Sequence, residues 1–305
     1  MDFYTLIHIG AKQINTNIKN KSSIYLYTNL AYKLSLSLNI QNHRLIILTN
    51  NRKFIIDHLK KKVKNINIDV IQIKDDFANI VPDFTRFKAA HAKIDCFNYL
   101  SNLNSQKPVF LIDSDILLLK EFPKWFCDDL LNPEFIYGYD ITRQLISGYG
   151  KNVIDSDLGI FLKNPLVKWF GGEIIGASSK KYKLLYETSK NIFQTYLENL
   201  QKFNHIGDET IFNVAIQILD FQTIDLGNLN IIERKWSALC LHDQLPINTI
   251  DKISLIHLPS SKRFILNLPI KNFKTIRILL KIFLFYSHFI NLVKYLLKNF
   301  LKFFC

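Results

Sequence analysis

The residues best suited to chemistry lie in Val109-Phe-Leu-Ile-Asp-Ser-Asp-Ile-Leu-Leu-Leu119. Four apolar residues run straight into Asp113-Ser114-Asp115, and four more follow. A short apolar run rich in β-branched and aromatic residues reads as a strand buried on both faces, as inside a parallel sheet. Ligands of such sheets bind beyond the carboxyl ends of the strands, so two carboxylates there stand at the mouth of a site. Alternation along the chain turns Asp113 and Asp115 the same way. Paired hard oxygen ligands suit a divalent cation holding a substrate's phosphates. In isolation an Asp-Ser-Asp is as readily a solvated turn, so its meaning depends on the elements that position it.

Those elements alternate between strand and helix. Tyr4–Ile9 reads as a first strand ending at Gly10, and Ser23–Tyr27 continues toward a helix over Leu30–Leu38 with Thr28 or Asn29 as N-cap. Arg44–Thr49 is a buried strand, 53–64 a basic helix with Phe54, Ile55 and Leu59 inward, and 66–73 an alternating strand. A helix over Phe87–Leu100 then delivers the chain to the strand that ends in Asp113. The order predicts βαβ units and a mostly parallel sheet. Neither GxGxxG nor GxxxxGK[ST] occurs, so no dinucleotide fingerprint or P-loop is present. Further on, strands are expected at Phe135–Asp140, Trp169–Ala177 and Ile253–His257, with helices over Ser178–Phe203 and Gly207–Gln217. A second Asp-Ser-Asp, Asp155 to Asp157, has no buried strand behind it and reads as a solvated turn.

Other polar residues fall at suggestive places. Arg86 and Lys93 stand near the start of the helix that packs beside the Asp113 strand, and either could reach phosphates or present a solvated face. Gly171 and Gly172 precede Glu173 in a strand, where paired glycines allow close approach of a ligand or a neighbouring backbone. Asp208 and Glu209 fall in the first turn of a helix, where they complement its dipole without needing any function. His257 ends a late strand, five residues before Lys262.

In that order, Asp113-Ser114-Asp115, Gly171-Gly172-Glu173, Asp208-Glu209, and His257 with Lys262 resemble the metal-dependent GT-A glycosyltransferases that use nucleotide sugars. The pattern is most similar to the retaining families 6 and 8, which include galactosyl- and glucosyltransferases of bacterial surface glycans. It covers roughly residues 1 to 263. The first strand departs from family 8, because Leu6-Ile-His-Ile-Gly10 offers no clear counterpart of the acidic nucleotide-contacting residue there. The resemblance implies an α/β GT-A fold, a Rossmann-like mixed sheet flanked by helices. It implies Asp113, Asp115 and His257 as ligands of Mn²⁺ or Mg²⁺, with imidazole favouring Mn²⁺. Asp113, Arg86, Lys93 and Lys262 would contact the donor, a UDP-sugar by preference. Asp208 and Glu209 would be the catalytic pair beneath the donor sugar. Gly171, Gly172 and Glu173 would meet a glycan or glycolipid acceptor. In a retaining reaction the departing phosphate can take the acceptor proton, so a strong carboxylate base is not required.

The totals fit such an enzyme. A chain of 305 residues with 48% apolar content can bury a large α/β core, and 10 Gly with 8 Pro leave little room for disordered linkers. The four cysteines (96, 127, 240, 305) show no metal-ligand or disulfide spacing and read as reduced. The start, Met1-Asp-Phe-Tyr, lacks the basic flank and apolar stretch of a signal peptide. From Lys252 onward ten Lys or Arg and no Asp or Glu follow, so most of the net charge of +13 belongs to the tail. That argues against a nucleic-acid partner for the domain.

Within the tail, Lys271, Lys274, Arg277, Lys281, His288, Lys294, Lys298 and Lys302 recur among Leu and Phe at helical steps. The longest stretch there without Lys or Arg is the twelve residues Ile282 to Val293, short for a bilayer span. A basic amphipathic helix on an anionic membrane surface is the expectation, with a core-closing helix as its alternative. The expected organisation is therefore a catalytic domain over 1–263, with a nucleotide-binding half (1–115) and an acceptor half (116–263), followed by a membrane-associating tail over 264–305. The expected location is the cytoplasm, peripheral on the inner face of the cytoplasmic membrane, in lipopolysaccharide or capsule synthesis. Two other readings stay open. A haloacid-dehalogenase-like phosphatase also carries Asp-x-Asp after a buried strand, but in its first strand and with Thr or Val where Leu117 stands. A non-catalytic membrane-surface or polyanion-binding protein would use the tail alone.

Overall fold

In the computed structural model, residues 1–10, 23–61, 68–127, 131–150, 152–236 and 246–304 are described. Its strands are β1 (Asp2–Ile7), β2 (Arg44–Thr49), β3 (Ile68–Gln72), β4 (Val109–Ile112), β5 (Ile116–Leu118), β6 (Ile136–Asp140), β7 (Phe170–Ala177), β8 (Thr223–Asp225), β9 (Ile232–Arg234) and β10 (Leu255–His257). Seven of them form one sheet in the order β3-β2-β1-β4-β7-β6-β8. The four strands of the first half pair in parallel, as the βαβ alternation requires. β7 runs antiparallel to both β4 and β6, so the whole sheet is mixed. β5, β10 and β9 make a separate three-stranded sheet.

β4 is buried on both faces, with Phe110, Leu111 and Ile112 at most 1% exposed. On one face Phe3, Ile47 and Phe110 pack with Ala31, Leu34 and Leu38 of the helix Ser23–Asn39. On the other, Tyr4, Leu111 and Ile175 pack with Phe97 and Leu100 of the helix Lys93–Ser101 and with Tyr182 and Leu185 of the helix Ser179–Glu198. Each such fully buried side chain contributes roughly 1.5–3 kcal/mol, and these layers hold the carboxyl ends of β1 and β4 in place.

Several expectations shift. The run Val109–Leu119 is two strands in two sheets, with Asp113-Ser114-Asp115 as the turn between them. The first long helix covers Ser23–Asn39, so Thr28 is a fully buried mid-helix residue and not its N-cap. Packing overrides the strand preference of Ile-Tyr-Leu-Tyr there: Tyr25 stacks on Phe54 at 5.5 Å. The helix expected from Phe87 begins as a 3₁₀ turn, Lys88–Ala92, because Phe87 sits in the left-handed region at φ 55°. Asp155–Asp157 lies in a short helix, Val153–Leu158, not in a solvated turn. Asp157 is fully buried and accepts the N–H groups of Asn204 (2.9 Å) and His205 (2.8 Å).

The tail folds differently from a detached segment. The boundary at 263/264 falls inside a helix, Lys262–Asn267, and a second helix follows over Phe273–Phe304. Ile265, Leu268, Ile276, Leu280 and Leu284 are buried against Leu117, Leu119, Ile253 and Leu258. Ile278, Ile282, Phe285, Phe289, Leu292 and Leu296 are exposed. Residues Phe273–Lys294 are long and apolar enough, by length and composition alone, to cross a membrane. Within that stretch Ile276, Leu280 and Leu284 form one stripe buried on the protein's core, and most of the rest stays uncovered.

Candidate active site

Strand register brings the chemistry together. Ile112 of β4 pairs with Ile174 of β7, and Asp113 donates its N–H to the Glu173 carbonyl at 2.9 Å. The chain then turns through Asp115 into β5, where Ile116 pairs with His257 of β10. β10 in turn sets His257 opposite Arg234 of β9. Residues far apart in sequence thus meet at one point where the two sheets adjoin.

At that point Asp113, Asp115 and His257 each offer a ligand atom, and the three atoms lie within 4.8 Å of one another. His257 Nε2 is 3.2 Å from Asp115 Oδ1. Lys262 pairs with the other oxygen of Asp115 and donates to the Pro259 carbonyl at 3.0 Å. Lys93 Nζ lies 2.9 Å from Asp113 Oδ1 and 3.0 Å from Asp208 Oδ2, and it donates to the Gly172 carbonyl at 2.7 Å.

A second group of charges stands behind and beside the first. Arg234 binds Glu173 through both oxygens, Nε to Oε1 at 2.8 Å and Nη2 to Oε2 at 2.6 Å. Glu209 accepts the Gly172 N–H at 2.9 Å and the Trp169 indole N–H at 3.2 Å, and it pairs with His205 Nε2 at 2.8 Å. The helix Asp208–Ile218 carries both acids in its first turn, as its spacing suggests, yet both are drawn into this network.

The charges fix one another's protonation. Burial by itself would raise the Asp115 carboxyl, but Lys262 and then His257 hold it well below the usual carboxylate range. Burial would lower the His257 imidazole; Asp115 and Glu173 outweigh it and push it up to about 9. Glu173 and Glu209 are likewise held down against burial, chiefly by Arg234 and His205 respectively. Asp113 and Asp208 raise the Lys93 ammonium despite its burial.

A cavity of about 490 Å³ opens over this network. Arg86, Lys93, Asp113, Asp115, Asp208, Glu209, His257 and Lys262 all line it. Arg86 is exposed in the turn before Lys88–Ala92. Lys93 departs from its expected role, because three protein acceptors occupy its ammonium and leave it no free donor for a phosphate. Gly171, Gly172 and Glu173 lie behind the wall instead of on it. Glu173 is 1% exposed and turned onto Arg234 through both oxygens, which removes it from contact with an acceptor. A Cβ on Gly172 would sit 2.6 Å from Asp208 Oδ2 and 3.2 Å from Glu209 Cγ. The close approach that Gly172 permits is to the helix Asp208–Ile218, and that of Gly171 is to the Glu173–Arg234 pair, where a Cβ would lie 2.7 Å from Arg234 Nη2.

Sequence reasoning missed Arg234, His205 and Tyr149, all of which line the cavity. Arg234 ends a strand of only three residues, too short to show periodicity. His205 lies in the loop before the helix Asp208–Ile218, where no periodic pattern marks it, and it meets Glu209 through the course of that loop.

Neither a protein-family model nor a curated protein sequence matches this chain. Solved structures do. The galactosyltransferase LgtC, in complex with donor and acceptor sugar analogues, is 11% identical with a TM-score of 0.52, over 85% of this chain and 87% of that one. A variant of LgtC with an active-site glutamine changed to glutamate gives 13% identity and a TM-score of 0.51 over the same shares. At such identities the likeness is one of architecture, and the chain has the GT-A fold, a mixed sheet flanked by helices and followed by a C-terminal apolar helix.

Proposed function

We propose that this protein is a metal-dependent glycosyltransferase that moves a sugar from a nucleotide-diphosphate donor, a UDP-sugar by preference, to a glycan or glycolipid. The observation that carries the reading is the convergence of Asp113, Asp115 and His257 on one point in the cavity wall of a GT-A fold. Two carboxylates and an imidazole, with donor atoms within 4.8 Å of one another, fit a single divalent ion. The mixed oxygen and nitrogen set favours Mn²⁺ over Mg²⁺. Such an ion, when bound, neutralises charge on the diphosphate as the sugar bond breaks.

The chain's own groups supply the rest. Lys262, freed from Asp115, would set its ammonium on the same phosphates, and Arg86, also in the cavity lining, would reach them too. Asp208, held by Lys93, would accept hydroxyls of the donor sugar. Glu209, with both oxygens already occupied, serves as a fixed negative charge and not as a base. That agrees with a retaining transfer in which the departing phosphate takes the acceptor proton. The basic tail, with no acid after Asp251 and an exposed apolar stripe, supports docking on an anionic membrane and hence a lipid-linked or surface-glycan acceptor.

Thermal unfolding against a panel of nucleotide sugars, with and without Mn²⁺, tests the reading. A donor that protects only when Mn²⁺ is present, and is transferred, supports it. Asp115→Asn should abolish both protection and transfer. Unchanged transfer by that variant would remove the metal site from the mechanism, and protection by no nucleotide sugar at all would sink the proposal.

A further inference from the structure

Glu173 lies behind the cavity wall, where it contacts neither donor nor acceptor, while its partner Arg234 reaches the lining. The position of Glu173 is nevertheless specific. The two nitrogens of His257 face opposite surroundings: Nε2 lies beside Asp115 Oδ1 at 3.2 Å, while Nδ1 is buried without a hydrogen-bond partner. Glu173 Oε1 lies 3.6 Å from Nδ1. The Glu173 side chain is 0% exposed, and its two bonds from Arg234 hold it in that place. Backbone pairing fixes the same arrangement from both sides. β10 sets His257 against Arg234, and the Asp113 N–H ties β4 to the Glu173 carbonyl.

A histidine that ligates a metal through one nitrogen usually donates its other N–H to a carboxylate or carbonyl, which fixes the tautomer and the ring's orientation. We propose that Glu173, held by Arg234, is the positioning residue of the metal site: it takes the Nδ1–H of His257 so that Nε2 presents its lone pair beside Asp113 and Asp115. The inference rests on the metal-dependent reading and adds an outer layer to it. A buried carboxylate has a large desolvation cost, and Arg234 offsets it while leaving Oε1 able to accept a second bond. A purely structural ion pair would have no reason to stand at Nδ1 of the one imidazole in the ligand set.

The test is Mn²⁺ binding to the full chain without nucleotide, followed by electron paramagnetic resonance, together with the unfolding temperature of the metal-free protein. The variant is Glu173→Met with Arg234→Met, which removes the proposed acceptor of the Nδ1–H and both charges of the pair together. The folded double variant should bind Mn²⁺ on the order of 10- to 100-fold more weakly than the parent chain. Parental Mn²⁺ affinity, even with a lowered unfolding temperature, would show that the pair is structural only and overturn the inference while sparing the metal reading. Absence of Mn²⁺ binding by the parent chain itself would overturn both. Should the double variant not fold, Arg234→Lys provides the second arm, since a single ammonium cannot hold both oxygens of Glu173 in place. Several-fold weaker Mn²⁺ binding by that variant supports the inference, and unchanged binding overturns it.

Discussion

Lys93 sets its ammonium 2.9 Å from Asp113, and through the same nitrogen ties that residue to Asp208 on a different element, 3.0 Å away. A buried cation with three acceptors fixes the distance between a proposed metal ligand and a proposed sugar ligand. Lys93→Met keeps the length and packing of the side chain but removes the charge, leaving two partly buried carboxylates uncompensated. Breaking a buried pair from one side costs about 3–5 kcal/mol, and denaturant unfolding should show a loss of that size together with loss of transfer. A variant with unchanged stability and only a raised KM would return Lys93 to direct donor binding.

Gly172 is the neighbour that this arrangement depends on. A methyl group there would press on Asp208 Oδ2 at 2.6 Å and on Lys93 Nζ at 3.0 Å. Gly172→Ala should therefore destabilise by roughly 1–3 kcal/mol, the usual cost of overpacking, and depress transfer by pushing Asp208 aside. Transfer at the parental rate would mean that the helix Asp208–Ile218 can shift away without consequence.

How much of this the sequence carried depends on range. Asp113 was legible because four apolar residues precede it and burial on both faces is a local property. His257 and Lys262 were legible as types at the end of a strand, but their meeting with Asp115 was not, since it depends on the register of β5 against β10. Ile253–His257 was legible as a strand, but three-residue strands have no period to read, so β5 was not separated from β4 and β9 was missed, and Arg234 with it. Glu173 lies in an apolar strand 61 residues before its partner, which left its charge open to the wrong assignment. The tail was read as a basic amphipathic helix, but its buried stripe of Ile276, Leu280 and Leu284 can be told from the exposed one only by what packs against it.

Asp157 supplies a stability test outside the charge network. Its carboxylate accepts the Asn204 N–H and side-chain amide through Oδ1, at 2.9 and 2.8 Å, and the His205 N–H through Oδ2 at 2.8 Å. These bonds shape the turn that delivers His205 to the cavity. Asp157→Ala leaves part-buried donors without their acceptor and should cost about 1–3 kcal/mol in chemical denaturation. A change below about 0.5 kcal/mol would restore Asp157 to the role of a solvated turn residue.

Asp95 gives a pH signature. Burial raises its carboxyl to about 7, against the pull of the Phe77 and Asp76 N–H groups. The folded chain therefore holds a proton on Asp95 that the unfolded chain releases near pH 4. Stability from this group is full below about pH 4 and is lost as pH rises toward 7, at up to about 1.4 kcal/mol per pH unit. Asp95→Asn cannot titrate, so the difference in unfolding free energy between parent and variant should shift in the variant's favour across that window. A difference that stays flat from pH 4 to 7 contradicts the assignment.

The two faces of the last helix separate folding from docking. Leu284 is fully buried among Leu117, Leu119 and Ile253, whereas Phe289 is 56% exposed. Leu284→Asp places an unpaired carboxylate in that cluster and should cost more than about 3 kcal/mol in unfolding free energy. Phe289→Asp removes apolar area from the exposed stripe and adds the first acid after Asp251, so stability should change by less than about 0.5 kcal/mol. Co-sedimentation with vesicles rich in anionic lipid should fall sharply for Phe289→Asp, and parental binding should weaken with added salt, as electrostatic attraction to a charged surface requires. If the parent sediments equally with neutral and anionic vesicles, or Phe289→Asp binds as the parent does, the stripe has some other purpose, and a second copy of the chain seated along it would appear as a dimer in sedimentation velocity.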